Sequence, residues 1–443
     1  MSYRRGWVAL MLFCMTLINY IDRATLSFAI FPISREFNLS PVAQGYLFSS
    51  FIWSYTLCVI PMGLLVDRFG AKRVVGIGMG VWSLATMCTG LTSSFAAMLT
   101  TRLVMGGGEA STNPSGAQVI REWIPARERG VLNACFNGGG YAGPALCALA
   151  AGPIIGAFGW PALFFIAGGI GFVWLVVWLV MFGAPEAVSW LSEPERQIIL
   201  TQRTGGRIAT SGPRSGLLGL LLSGPTLAGL GLSMGCNVYS LYVFLTWVPS
   251  YLRTTRGLNL NSTGLYTAVL YGTALIVSLA AGRLSDRLLH RKDVAQGDRR
   301  NLIACTLGLA AIVLFVPLID SLPILIVLLA LSLAGIATTT AQIFSLVNDL
   351  LPNRSDIGVA MGFVIVGGNV FGMLAPIVTG YVIAISGAYS WAFIIAGGLL
   401  GVGMLSMLVL TRQPIGMPWR RSAAAPRWLG ASPGPPRRRR GRR

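Results

Sequence analysis

Four charged residues stand alone inside long apolar runs: Asp22, Arg23, Arg102 and Glu109. Of the 15 Asp and Glu residues in the chain, only Asp22 and Glu109 lie well inside such runs. A charge at the centre of a bilayer-length helix costs roughly 2.5–3.5 kcal/mol, so it faces protein or a watered cavity and is functional by default. At 1.5 Å per helical residue, Asp22 lies about 22 Å in from Trp7. Arg102 lies about 9 Å in from Ala96 at the other side, roughly 20 Å from the first side of a core about 30 Å thick. The two are level and can pair if their helices adjoin. Glu109 follows two turns later on the same face, about 10 Å nearer the first side. Desolvated and with no base beside it in sequence, it is suited to carry a proton, and Asp22 and Arg102 complete a proton-coupling set. Arg23 points about 100° away from Asp22 and is left over to offer its two-pronged fork to a ligand carboxylate. The alternative for all four is a static ion-pair network that only orders the helices.

Other chemistries find no residues. The single histidine, His290, sits in a basic loop, and the seven cysteines lie in or beside apolar runs without ligand spacing. They read as buried thiols acting as small apolar residues, so no catalytic residue, metal site or cofactor is expected and the chain is not an enzyme. Gly106-Gly107-Gly108 follows no strand and precedes no Lys-Ser/Thr pair, so it is not a phosphate loop and ATP drives nothing here.

The elements that must hold these charges are membrane-spanning helices. The 443 residues are 54% hydrophobic and only 11% charged, against about 25% charged in soluble domains, and the mean hydropathy is +0.68. Twelve spans of roughly bilayer length follow, near 7–31, 44–65, 74–94, 96–120, 131–157 and 161–182, then 217–250, 263–284, 302–319, 323–348, 358–384 and 389–411. Ser223-Gly224-Pro225 is an alternative start for the seventh. The fold class is an all-α membrane protein of two six-helix halves, 1–182 and 217–411, joined by a cytoplasmic linker over 183–216. A basic tail over 412–443 has few apolar anchors and is expected to be disordered.

The net charge of +19 is topological and does not point to nucleic acid. Of 34 Lys and Arg residues, three (Arg35, Arg253, Arg256) fall in loops of one side and Arg23 and Arg102 lie within spans; the other 29 share the opposite side with both termini. The positive-inside rule makes that side cytoplasmic, and membrane lipid headgroups are a secondary partner for its basic surface. Met1-Ser2-Tyr3-Arg4-Arg5 imitates a signal peptide, but the run behind it is too long and contains Asp22-Arg23, so it reads as a retained first helix.

The halves repeat one loop. Gly63-x-x-x-Asp67-Arg68-x-Gly70-x-Lys72-Arg73 stands between spans two and three, and Gly282-x-x-x-Asp286-Arg287 between spans eight and nine. Matched loops in two halves are the mark of transporters built from repeats, and Gly63, Asp67, Arg68, Asp286 and Arg287 are assigned to conformational switching. Over essentially its whole length the chain resembles the major facilitator superfamily. Its first half is similar to the anion:cation symporter branch, which includes bacterial sugar-acid permeases. The resemblance is carried by Asn19-Tyr20-Ile21-Asp22-Arg23, Ser49-Ser50-Phe51-Ile52-Trp53-Ser54-Tyr55, the Gly63–Arg73 loop, Arg102, Gly108-Glu109-Ala110, Trp123-Ile124-Pro125-Ala126-Arg127-Glu128-Arg129-Gly130 and Phe158-Gly159-Trp160. Two stretches depart from the pattern, Asn137-Gly138-Gly139-Gly140-Tyr141 and Ser111-Thr112-Asn113-Pro114.

The resemblance implies a proton-coupled symporter, a monomer of the bacterial inner membrane, importing a small organic anion such as a sugar acid (aldonate, aldarate or hexuronate). It implies substrate contact by Arg23, Tyr20, Tyr55 and Asn369. Hydroxyl and amide groups suit a polyol, and Asn237, Tyr239, Tyr242, Thr338, Thr339, Thr340 and Gln342 are further candidates by residue type; helix–helix hydrogen bonding accounts equally well for many of them. A dicarboxylate or aromatic acid as substrate, an exporter of amphiphilic compounds, and a non-transporting sensor on the same scaffold are the alternatives. If the repeated loops govern switching, Asp67→Asn slows net transport while equilibrium substrate affinity changes by less than about tenfold; parallel uptake and binding measurements check it.

Overall fold

The computed structural model describes residues 3–125, 128–202, 217–222, 224–288, 297–351 and 356–415, and these contain helices and turns without a strand. Lipid offers no hydrogen bonds, so a crossing segment must satisfy its own backbone, and a helix does so within one segment. The first half holds α1 (Tyr3–Glu36), α2 (Pro41–Phe69), α3 (Ala71–Thr89), α4 (Phe95–Glu109), α5 (Thr112–Trp123), α6 (Arg129–Phe158) and α7 (Trp160–Met181). Two short helices follow, α8 (Glu193–Gln202) and α9 (Leu217–Leu222). The second half holds α10 (Thr226–Thr246), α11 (Val248–Thr254), α12 (Leu260–Leu288), α13 (Asp298–Ala310) with a 3₁₀ continuation Ala311–Leu318, α14 (Leu322–Leu350), α15 (Ile357–Ser386) and α16 (Ser390–Leu410). Among the described residues, ten helices are long and apolar enough to cross a membrane. Adding α3, which opens on Lys72 and Arg73, and the α4–α5 pair gives twelve crossings.

Three spans differ from their sequence reading. The fourth is broken directly after Glu109 and resumes at Thr112. Pro114 has no N–H to return to the Ala110 carbonyl and its ring crowds that turn, so it is tolerated only in the first turn of a new helix. The seventh begins at Thr226, just past Pro225, and the ninth tightens into a 3₁₀ turn that contains Pro317. Elsewhere the connections are minimal. Gly70 alone separates α2 from α3, at φ +82°, and Gly159 alone separates α6 from α7, at φ +81°; a side chain at either would be strained. All seven cysteines are free, but only Cys147 and Cys236 are buried.

Within the first half α1 packs on α6 and α7, α2 on α4, and α3 on α4 and α7; within the second, α10 packs on α15 and α16, and α14 on α12 and α13. The halves meet mainly through two helix pairs, α2 with α15 and α6 with α12, with smaller contacts of α1 to α10 and α11. At the ends away from the basic side these pairs touch backbone to backbone. A Cβ added at Gly45 would lie 2.6 Å from the Pro376 carbonyl oxygen, and one at Gly380 2.5 Å from that of Pro41. One at Gly264 would lie 2.1 Å from the Ala148 carbonyl oxygen. The Tyr46 and Tyr381 hydroxyls are 3.3 Å apart here, and Ser49 Oγ donates to the Met373 carbonyl at 2.6 Å. At the basic ends of the same four helices, a Cβ at Gly63, Gly130, Gly282 or Gly358 would meet nothing within 4 Å. The described halves are thus closed together on the less basic side.

A cavity of about 350 Å³ occupies the basic ends of α2, α5 and α6, lined by Gly63, Asp67, Pro114, Arg121 and Asn133 among others. Asp67 and Arg68 end α2 and are exposed. Asp286 and Arg287 fall on α12, but their side chains lie outside the described residues, as do residues 289–296 and the arginine-rich stretch 416–443. The segment after α7 folds back on the first half: Trp190 stacks on Trp123, Ile199 is buried, and Arg5 bonds both Glu128 and Glu195.

Closure at Gly264 leaves no room for a side chain, and overpacking of this kind costs about 1–3 kcal/mol. Gly264→Val therefore shifts the population toward a state open on the less basic side by roughly five- to a hundredfold, read as faster labelling of a cysteine introduced beside Tyr46.

Candidate functional site

The centre of the first half is built on α1, whose Asn19-Tyr20-Ile21-Asp22-Arg23 stretch is held against α6 by small residues. A Cβ at Gly139 would lie 2.6 Å from the Phe13 carbonyl oxygen, and one at Gly143 2.5 Å from that of Leu17. Gly140 receives the Tyr20 ring, 3.2 Å from where a Cβ would stand. The glycine run that departs from the resembled pattern thus sets the distance between α1 and α6. Gly106 and Gly108 act similarly: their Cβ atoms would strike the Phe51 carbonyl oxygen of α2 at 2.0 Å and the Gly78 carbonyl oxygen of α3 at 2.9 Å. These glycines bring α4 into contact with its neighbours.

Arg23 is the hub. Its Nε–H donates to Glu109 Oε2 at 2.8 Å, and the Arg23 and Glu109 side chains are 7% and 0% exposed. Its guanidinium carbon lies 4.7 Å from the Tyr20 ring centroid, 5.0 Å from Phe51 and 5.1 Å from Tyr55. Such aromatic faces attract a cation most strongly when water is excluded. From the second half, the Tyr242 hydroxyl accepts from Arg23 NH1 at 3.5 Å. Asn113 Nδ2–H donates to the Tyr55 hydroxyl at 2.7 Å, tying that ring to the first turn of α5.

Two expectations from the sequence need correcting. Arg102 does not meet the Asp22 carboxylate: its NH1 donates to the Asp22 backbone carbonyl at 3.3 Å and to Met105 Sδ at 3.2 Å. Nor is Arg23 left over, since it holds Glu109. Arg102 and Asp22 are near enough for that one bond, but α1 packs on α5, α6 and α7 while α4 packs on α2 and α3. Only long side chains cross between α1 and α4, Arg102 to the Asp22 carbonyl and Arg23 to Glu109. Both Asp22 carboxylate oxygens, Arg102 Nε and Glu109 Oε1 are buried with no hydrogen-bond partner among the described residues. The Trp82 indole N–H faces the Asp22 carboxylate.

The structure gathers Tyr20, Asp22, Arg23, Tyr55, Arg102 and Glu109 into one cluster. Asn369, on α15, makes no hydrogen bond with this cluster, its amide nitrogen buried and without a partner among the described residues. Asn237 Nδ2–H donates to the Thr340 hydroxyl at 2.8 Å and Thr339 bonds Thr306 at 2.8 Å, so these tie helices of the second half together. Phe51, Trp82 and Asn113 were missed. Phe51 precedes Tyr55 by one turn on the same face, which was the available signal; nothing local marks Trp82.

Residues 12–295 and 294–440 match the Major Facilitator Superfamily. The chain belongs to that superfamily. It is similar to the probable galactarate/D-glucarate transporter GudP of Escherichia coli (strain K12), 30% identical over 92% of this chain and 93% of that protein. It is likewise similar to a hexuronate transporter of Bacillus subtilis (strain 168), 29% identical over 93% and 96%. Among solved structures, an inward-facing bacterial homolog of the human lysosomal transporter Spinster superposes with a TM-score of 0.72 over 95% of this chain and 100% of that one, at 18% identity. This superfamily member is a multi-pass membrane transporter and not an enzyme.

A buried cation stripped of its anion is costly. Glu109→Ala should destabilise the fold by about 3–5 kcal/mol, whereas Arg23→Met with Glu109→Leu removes both charges and recovers most of that loss; thermal unfolding in detergent compares the two.

Proposed function

We propose that this transporter is a proton-coupled symporter that imports a sugar acid, with Arg23 as the anion-binding group and Glu109 as the exchangeable counter-ion. One observation carries the reading: Arg23, enclosed by Tyr20, Phe51, Tyr55 and Tyr242, has a carboxylate as its partner at 2.8 Å. A substrate carboxylate offers the same chemistry in bidentate form and displaces Glu109. Displaced, Glu109 loses its counter-charge in a desolvated site, and taking up a proton relieves the cost of leaving it charged. Asp22, beside Arg23 on α1, and Arg102, which reaches the Asp22 carbonyl from α4, sense the exchange. Substrate and proton then enter together, and release of both on the basic side restores the Arg23–Glu109 pair.

Substrate class follows the relatives, whose names specify galactarate and glucarate, hexuronate and D-galactonate. Each is a carboxylate on a hydroxyl-rich chain, which the ring of tyrosine hydroxyls and the Asn113 amide suit. The Asn369 amide lies on the half that must close over the substrate. The charge asymmetry of the loops supports cytoplasmic termini; the family resemblance adds a bacterial inner-membrane monomer, and the same reading keeps domain limits at 182, 217 and 411 with a cytoplasmic linker between the halves.

Arg23→Ala should weaken D-glucarate binding at least a hundredfold in a folded protein, and Arg23→Lys should do little better, because a point charge does not replace the fork. Glu109→Gln should still bind D-glucarate and exchange labelled for unlabelled substrate across proteoliposomes, yet fail to accumulate it under an imposed pH gradient. Accumulation by that variant would place the proton elsewhere.

A further inference from the structure

The less basic side of the described structure carries three arginines, and they are employed differently. Arg256 is fully committed: it donates to the Tyr251 hydroxyl at 3.0 Å, the Asp320 carbonyl at 3.3 Å and the Ile319 carbonyl, closing the end of the Ala311–Leu318 turn. Arg35 of α1 and Arg253 of α11 instead lie over one ring, with guanidinium carbons 4.3 Å and 3.9 Å from the Phe31 centroid. They come from opposite halves of the protein. Neither has a hydrogen bond or an ion pair with another described residue. The two acids nearest in the fold on this side are otherwise placed: Glu36 accepts from Trp160 Nε1 at 2.7 Å, and Asp320 is exposed at the far end of the Arg256 contact.

Two like charges on one ring repel, and burial together with the neighbouring Arg35 lowers Arg253 from its ordinary value. Beneath them lies a cavity of about 10 Å³, lined by Ser27, Phe31, Ser250, Arg253 and Thr263 among others. That is about the room one water needs. Ser27 and Thr263 are 2% and 1% exposed, and neither hydroxyl has a hydrogen-bond partner among the described residues. A buried hydroxyl without a partner costs free energy, so a site of this kind is expected to be filled in some state of the protein.

We infer that Arg35 and Arg253, with the Ser27 and Thr263 hydroxyls below them, form an entry site for the carboxylate end of an anionic polyol on the less basic side, collapsed in this closed state. A carboxylate between the guanidiniums relieves their repulsion and its adjacent hydroxyls pair with Ser27 and Thr263. Because the arginines belong to different halves, the site exists as a pair only while the halves are near closure, and an anion held there lies on the path to Arg23. The inference rests on the transport reading above for its direction, and on the geometry alone for its preference for anions.

Two measurements test it. Uptake of D-glucarate into phosphatidylcholine proteoliposomes, from the less basic side, should show KM raised about tenfold in Arg35→Gln/Arg253→Gln at low salt and less than threefold at 0.3 M KCl, since exposed charges are screened. Arg35→Lys/Arg253→Lys should restore most of it, and D-glucarate affinity of the purified, closed protein should stay within twofold. A KM unmoved by the Gln pair, or a loss of maximal rate alone that Lys does not repair, would overturn the site in favour of gate packing. An effect seen only with anionic lipid present would assign the arginines to headgroups and also overturn it. The second measurement needs no uptake. At Ser250→Cys, corrected for the native cysteines, an anionic methanethiosulfonate should lose at least fivefold in rate relative to a neutral one when both arginines become Gln. An equal change for both reagents would defeat the inference even if D-glucarate proved not to be carried; failure of uptake with the fivefold selectivity intact would leave the anion site standing and remove the transport reading.

Discussion

A guanidinium held in the middle of a membrane bundle needs an anion beside it, and the arrangement around Arg23 follows from that requirement. Its cation is 7% exposed and cannot be neutralised by losing its proton at any ordinary pH. Glu109 supplies the anion, from the last residue of α4 before the break that Pro114 imposes. Three aromatic faces and the Tyr242 hydroxyl occupy the remaining sides of the guanidinium. Replacing a buried ion pair by apolar residues is often neutral or stabilising, so stability alone does not account for these charges. Their geometry suits exchange, because any group that takes the place of Glu109 must itself be an anion.

Helices gain no hydrophobic driving force from meeting one another in lipid and rely on close packing and interhelical hydrogen bonds. This explains why glycines surround the site. Gly139 and Gly143 bring α6 against the α1 backbone, and Gly106 and Gly108 bring α4 against α2 and α3. With larger side chains at these positions the helix axes would stand further apart, and the Arg23 side chain would not span the distance to Glu109. The same device joins the halves at Gly45, Gly264 and Gly380. There it has a second consequence. Surfaces without side-chain interdigitation part and meet again with little repacking, which suits an interface that must open and close.

The two sides of the molecule differ in what keeps them in place. On the basic side, the residues that follow α7 lie back on the first half through the Trp190–Trp123 stack and the Arg5 contacts to Glu128 and Glu195. These bonds belong to one half and its continuation, and do not hold the halves together. On the other side, the contacts run between halves, through Tyr46 and Tyr381, Ser49 and Met373, and the shared Phe31 ring. Closure of the described structure is therefore written in contacts of the less basic side.

The sequence by itself determined the membrane class, the twelve crossings and their division into two halves. Those properties depend on hydropathy, length and a constant rise per residue, all of which are local. It also marked Asp22, Arg23, Arg102 and Glu109, because charges inside long apolar runs are conspicuous whatever their neighbours; Tyr20 and Tyr55 were marked only by the resemblance to the family. Which charge faces which was decided only by tertiary structure. A rise of 1.5 Å per residue places Asp22 level with Arg102, yet the azimuth of each helix and the identity of its neighbours come from packing, and α1 packs against α5, α6 and α7 rather than α4. For the same reason only the packing shows that Gly106 and Gly108 stand against the backbones of α2 and α3: a missing side chain in a sequence does not say whether water, lipid or another helix fills its place.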